Sequence, residues 1–499
     1  MPEPSDSDLV SQPVTDPEKD GDVAEETNIA DIDPNLVWWD GENDPNNPYN
    51  WPTWRKALNC GLVSALSFIT PLTSSIFAPG VPQLMRDFHN DNTELASFVV
   101  SVFVLGFALG PLLVAPLSEI YGRLIVYHVC NVGFIAFLIA CAVAPSLNSL
   151  IVFRFFSGAL GSAPLTNSGG TVADTIHQEK RGRVMSITLI GTLLGPAVGP
   201  VIGGFLANAK GWRWVFWLCT IVAGALGLAM FFCCSETYAP ILLERKAQRL
   251  RKTTNNPLLR SKLDRNLSPR DYFIRSIVRP IKLLFLSPIC TIFAVYLAIV
   301  YGYLYLLFTS FSEVFTTVYG FNTGTSGLSY LGIGVGNLCG LVYYSATSDR
   351  TMQRMAKMSK DTQDLKPEYR LPLLRVGAVL LPTGLFIYGW TVEYKVQWIV
   401  PILGTAIFGI GAILCMIPTI TYLVDAFTIY AASAMAANTV IRSIAGSVLP
   451  LAGSKMYETL GYGWGNSLLG FIAACMIPVP WVIIRYGEFL RRKYSVENL

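Results

Sequence analysis

Five charged residues lie in or at the ends of runs that are otherwise apolar, one of them Asp174, which closes the run 150–172. Arg154 follows Leu150-Ile-Val-Phe, and Arg442 sits halfway along the run 432–453. Glu313 ends an aromatic-rich run that includes Tyr301 and Tyr305, and Asp425 closes the run 398–424. A charge on a membrane-spanning helix costs several kcal/mol, so each is a functional candidate by default. Arginine keeps its proton even when buried. Arg154 can therefore ease ionisation of a nearby acid or stand in for a proton, while Glu313 and Asp425 can carry one. The plainer alternatives are a structural Arg154 bonded to carbonyls of a neighbouring helix, a structural pair for Arg442, and interfacial solvation for Glu313 and Asp425.

A second set sits at short turns. Glu119, Gly122 and Arg123 follow one apolar run, and Asp349 and Arg350 follow another. Both places put an acid and an arginine between two spans, where a latch between helix ends would form and release. A purely structural turn is the alternative. A third set is suited to lining a large apolar cavity: Asn167 and Ser168, with Tyr296, Tyr301, Tyr303, Tyr305 and Phe308, and Arg442, which could also serve in a gating pair. Aromatics with a few polar groups fit bulky amphipathic molecules.

These residues need a bilayer to position them. The chain of 499 residues is 52% hydrophobic and only 14% charged, against about 25% charged in soluble domains. Its apolar residues fall in twelve blocks near the length that crosses a membrane: 57–78, 95–117, 124–144, 150–172, 184–207, 213–234, 289–311, 325–345, 372–392, 398–424, 432–453 and 466–486. The expected fold is an all-α integral membrane protein, with twelve transmembrane helices in two six-helix pseudo-symmetric halves. Residues 1–48 carry fourteen acids against one lysine and read as a disordered tail. Residues 49–234 and 289–486 are the two bundles, and 487–499 a second tail. Between the bundles lies a basic linker, 235–288, in which 241–250 reads as an amphipathic helix on the inner leaflet or a solvated linker helix. Of 37 Lys and Arg, 30 fall on the side of both termini and five on the other, which places both termini in the cytoplasm. The only Asn-x-Ser/Thr sequon, Asn266-Leu-Ser268, is then internal and carries no N-glycan. No signal peptide is expected, so the first span inserts the chain.

The positive balance is thus a topology signal, and no nucleic-acid partner is expected. All ten cysteines fall in or at the ends of spans, as small apolar groups do, and the three scattered histidines suggest no metal. No phosphate-cradling loop with Lys and no acid pair or nucleophile–base set is present, which argues against ATP-driven transport and against a membrane-embedded enzyme. No cofactor is expected. The run 184–207 holds a ladder of small and kinking residues: Gly191, Gly195, Pro196, Gly199, Pro200, Gly203 and Gly204. In a bilayer such a run stays helical and lets a neighbour approach closely. A bent, smooth-faced helix suits a protein whose helices pack tightly and move.

These features resemble the major facilitator superfamily, and within it the twelve-span drug:proton antiporters of fungi, from about Trp51 to Tyr494. The ladder Gly191-x-x-x-Gly195-Pro196-x-x-Gly199-Pro200-x-x-Gly203-Gly204 is similar to that family's antiporter motif at every defining position. Leu117, Glu119, Gly122 and Arg123 resemble its loop motif, with Ala115 where Gly is usual, and Arg154-Phe-Phe-Ser-Gly158 resembles the motif whose Arg is implicated in proton coupling. Trp212-Arg213-Trp214-Val215-Phe216-Trp217, Ser235-Glu236-Thr237-Tyr238, Pro367-Glu368-Tyr369-Arg370-Leu371, Tyr422-Leu423-Val424-Asp425 and Ala432-Ser433-Ala434 resemble the fungal subgroup. Relatives carry a Glu near Thr309, one turn from Glu313. The resemblance implies a monomeric plasma-membrane antiporter, driven by the proton gradient, that exports bulky amphipathic toxins, secondary metabolites or drugs by alternating access. Fungal relatives include exporters of self-toxic polyketides and proteins conferring azole or cycloheximide resistance. Polyamine or nutrient transport on the same fold, and a receptor without flux, are the alternatives.

Overall fold

The computed structural model describes residues 35–263, 268–358 and 366–494. Most of the acidic tail, two residues of the sequon and the end of the second tail lie outside the described residues. Ten helical runs are long and apolar enough to cross a membrane. The last, Ala431–Lys493, turns back at Gly461, whose φ of 73° breaks the helix, and so holds two legs. Glu393 caps the second leg by accepting from the amides of Tyr462 (2.8 Å) and Gly463 (3.1 Å).

In the first half α1 is Thr53–Ser75, α2 Val81–Asp87, α3 Thr93–Tyr121 and α4 Arg123–Ala142. The fourth expected span is broken at Ser162 into α5 (Leu147–Gly161) and α6 (Ala163–Thr175), with Pro164 in the first turn of α6. Then come α7 (Gln178–Lys210) and α8 (Arg213–Cys233). The linker forms α9 (Ala239–Thr254) and α10 (Pro269–Leu286). The second half has α11 (Pro288–Thr317), a short α12 (Thr323–Ser326), α13 (Leu331–Met358), α14 (Pro372–Glu393), α15 (Ile399–Phe427), α16 (Ala431–Cys475) and α17 (Pro478–Lys493). Every expected span finds a helix. The helix α13 is not among the ten.

Two expectations are corrected here. Asp349 and Arg350 do not form a short turn: α13 runs through them to Met358, and both are exposed. Met, Gln, Arg, Ala and Lys after Arg350 are good helix formers, so nothing stops the helix. The amphipathic segment 241–250 is helical, but Leu243 and Ala247 are fully buried, so α9 does not lay an open apolar face on lipid. The open stripe belongs to α10, where Ile274, Val278, Ile281 and Phe285 are exposed at the spacing of one helix face, between Arg270, Arg275, Arg279 and Lys282.

A small separate unit joins the end of the acidic segment to the linker. Strand β1 (Leu36–Val37) pairs in parallel with β2 (Arg260–Ser261), Lys246 donates to the Trp38 carbonyl at 2.8 Å, and Lys262 lies 5.0 Å from the Trp38 ring. The last residues of the segment read as a disordered tail are therefore ordered. Beyond that unit, Asp44 accepts the backbone amides of Asp40 and Asn46.

Candidate functional site: the interface between the halves and its basic end

The proline-glycine helix α7 lies against α1. A Cβ on Gly195 would meet the Phe68 carbonyl oxygen at 2.8 Å, and one on Gly199 the Leu72 carbonyl oxygen at 2.8 Å. At Gly203 the overlap with the Ile76 carbonyl is greater still, at 1.6 Å. Gly191 is looser, its nearest neighbour being Phe68 Cβ at 3.5 Å. Gly204 faces the second half instead, where a Cβ would lie 2.7 Å from the Thr323 carbonyl. Pro200 has no amide to give the carbonyl of Pro196, and the Ser75 hydroxyl of α1 donates to that oxygen at 3.1 Å. The ladder thus lets one helix touch both halves.

Arg154 on α5 is fully buried. Its Nε donates to the Val99 carbonyl at 2.7 Å, and one Nη donates to the carbonyls of Ser74 (3.0 Å) and Val100 (3.4 Å). The rings of Phe77 and Phe103 each lie 5.2 Å from the guanidinium carbon. Its other Nη has no partner, and among the described residues no carboxylate pairs with it. From Ser74 a polar line crosses to the second half. The Ser74 hydroxyl lies 3.1 Å from that of Tyr305, the Tyr305 and Tyr301 rings are 5.1 Å apart, and Arg442 stands 5.2 Å from the Tyr301 ring.

The basic end, where the linker and the last helix finish, is built from two matching knots. In the first half Arg123, at the start of α4, pairs with Asp174 at the end of α6 (3.3 Å) and donates to Ser118 (2.8 Å). Glu236 accepts the amides of Arg123 (3.0 Å) and Leu124 (3.1 Å), capping α4. Gly122 makes room for that carboxylate: its φ is 104°, and a Cβ would lie 2.3 Å from a Glu236 oxygen. Glu119 accepts from the hydroxyls of Tyr238 and Tyr272. In the second half Arg370, just before α14, pairs with Asp425 at the end of α15 (2.5 Å). Burial works against the charge on Arg370, but the hydrogen bond and field of Asp425 outweigh it and raise its pKa. Arg491 of α17 holds Glu368 with two bonds, at 2.9 and 3.0 Å.

Several placements differ from the sequence expectation. Asp425, a candidate for carrying a proton, lies in this knot, bound by Arg370. Glu119 and Arg123 do not pair with each other, since Arg123 pairs with Asp174; the matching pair in the second half is Arg370 with Asp425, and Asp349 and Arg350 take no part in it. Asn167 does not line an open cavity, since its Oδ1 accepts from Ser118 at 3.0 Å and it is buried. Tyr305 and Phe308 are packed in an aromatic core with Tyr330. Glu313 lines a cavity of about 120 Å³ at the opposite end, together with Glu458, Ser97, Ser310 and Tyr457. Sequence reasoning misses Glu236, Glu368 and Arg491; the signal for the two acids is the resemblance of Ser235-Glu236-Thr237-Tyr238 and Pro367-Glu368-Tyr369-Arg370 to the fungal subgroup, and Arg491 has none. Among the described residues no group of His, Cys, Asp and Glu could hold a metal.

The profile of the Major Facilitator Superfamily matches residues 63–450. The chain belongs to this superfamily. The MFS-type transporter tndD of Aspergillus flavipes is 54% identical over 490 residues, covering 98% of this chain and 91% of that protein. The efflux pump radE of Floropilus chiversii is 53% identical over 460 residues, covering 92% and 85%, and the MFS-type transporter penM of Penicillium rubens is 53% identical over 459 residues, covering 92% and 90%. The D-xylose-proton symporter is similar in structure, with a TM-score of 0.63 at 17% identity over 84% of this chain and 96% of that one. That likeness concerns the fold alone. This superfamily member is a membrane-spanning transporter of small molecules, and its relatives are transporters rather than enzymes.

Proposed function

We propose that this transporter exports bulky amphipathic compounds, a toxin, a secondary metabolite or a drug, in exchange for protons. The observation that carries the reading is Arg154: a buried cation without a carboxylate partner among the described residues, on the line of contacts that joins the halves. A charge so placed favours loss of a proton from any acid that approaches and is relieved by it. The α7 ladder supports export, since a smooth bent helix touching both halves permits them to rock. The relative named an efflux pump supports the same direction. Glu313, with Glu458 across the cavity, is the acid proposed to carry the proton. The knots at the basic end bind helices of one half to each other, so each half moves as a body. In this proposal the basic end faces the cytoplasm, the chain sits in the plasma membrane and it works as a monomer without a cofactor.

A second reading, polyamine transport, is favoured by one observation, the pair of carboxylates in the cavity at Glu313. Expression in an exporter-deficient yeast separates the two. The proposal expects resistance to amphipathic toxins that a protonophore abolishes. Resistance to polyamines alone, or resistance that a protonophore leaves intact, overturns it.

A further inference from the structure

We propose that α16 and α11 frame a site for an acidic group, a phenolate, enolate or carboxylate, carried by the exported molecule. The inference rests on the efflux reading and names its substrate class. Arg442 lies halfway along an otherwise apolar stretch of α16, with its guanidinium 5.2 Å from the Tyr301 ring. Its Nε is buried and has no hydrogen-bond partner, and no carboxylate pairs with it among the described residues. One turn earlier on α16, Asn438 is 2% exposed, and both its Oδ1 and its Nδ2 lack partners. Residues four apart share a helix face, so an unused amide donor lies beside an unused cation. Across the Tyr301–Tyr305 pair and Ser74 stands the second uncompensated cation, Arg154, whose free Nη adds to the same imbalance.

Buried polar groups are ordinarily satisfied, and buried charges ordinarily paired. Here the buried Arg154, the half-buried Arg442 with its buried Nε, and the buried Asn438 amide are left over among the described residues, while Glu313 and Glu458 are set apart in their own cavity. An anion supplied from outside the chain balances the arginines, and a planar aromatic acid does so best. Its oxygens take the forked donors of Arg442 and the Asn438 amide, and its ring lies against Tyr301. A cationic substrate would add a third positive charge to the line.

Three probes of one shape test this on the full chain in lipid nanodiscs near neutral pH: 2-naphthoate, its methyl ester and 2-naphthylmethylamine, each followed by thermal stabilisation. Naphthoate is expected to bind about tenfold tighter than the ester, with the amine no better than the ester. Arg442→Gln removes that preference and Arg442→Lys keeps part of it, each variant being checked for wild-type elution and melting. Equal or tighter binding of the ester or the amine overturns the site, as does a preference that survives Arg442→Gln, or no stabilisation by any probe. Failure of the efflux reading has a different signature: naphthoate binds with the expected preference, yet a proton gradient drives no probe across a vesicle membrane.

Discussion

At the scale of single residues, charge and its compensation decide what each side chain does. Arg154 is held by carbonyls and phenyl faces, so the alternative of a structural arginine describes its present contacts, while its free Nη leaves the coupling role intact. Arg154→Ala is expected to abolish proton-driven efflux with the protein still inserted; efflux at the wild-type rate in sealed vesicles under an imposed pH gradient would count against that role. Gly122→Ala sets a side chain at positive φ against the Glu236 carboxylate, and such strain costs about 1–3 kcal/mol. A melting temperature unchanged from wild type would contradict the capping of α4 by Glu236. The charges themselves were legible from the sequence, because a lone Arg or Glu in an apolar run stands out. Their partners were not. Asp425 and Arg370 are 55 positions apart in the chain, and only folding shows that they meet. Glu236 is one of four acids in a basic linker, and nothing local marks a residue that caps a helix more than a hundred positions away.

At the scale of elements, the α7 ladder was fully legible, because close approach demands Gly at fixed spacing, and α1 is the neighbour it admits. Gly199→Leu drives a branched side chain into the backbone of α1 at Leu72, and transport is expected to stop; normal efflux with normal insertion would refute the close packing. Ser75→Ala leaves the Pro196 carbonyl without its donor, a loss of about 0.6 kcal/mol on the scale of hydrogen bonds between membrane helices. That loss is read as a small drop in melting temperature, and no drop would mean another group satisfies the oxygen. The turn at Asp349 was misread because an acid and an arginine beside each other look alike on a helix and on a turn. The α10 stripe was overlooked because its cations interrupt the apolar pattern every few residues.

At the scale of the molecule, the two halves meet away from the basic end, through Gly204 and Thr323, Ser74 and Tyr305, and Ser101 and the Ser447 carbonyl at 2.9 Å. That long apolar helices make up most of the chain was readable from hydropathy alone. Which ends touch was not, because contact between halves depends on the tilt of whole bundles. Alternating access requires the contacts at this end to part. The most direct test joins them: Ser97→Cys with Ser454→Cys, whose hydroxyls lie 3.4 Å apart, in a background where exposed Cys233, Cys339 and Cys475 are replaced. The account predicts that oxidation forms the cross-link and halts efflux, and that reduction restores it. Efflux continuing at full rate across the closed disulfide would contradict it.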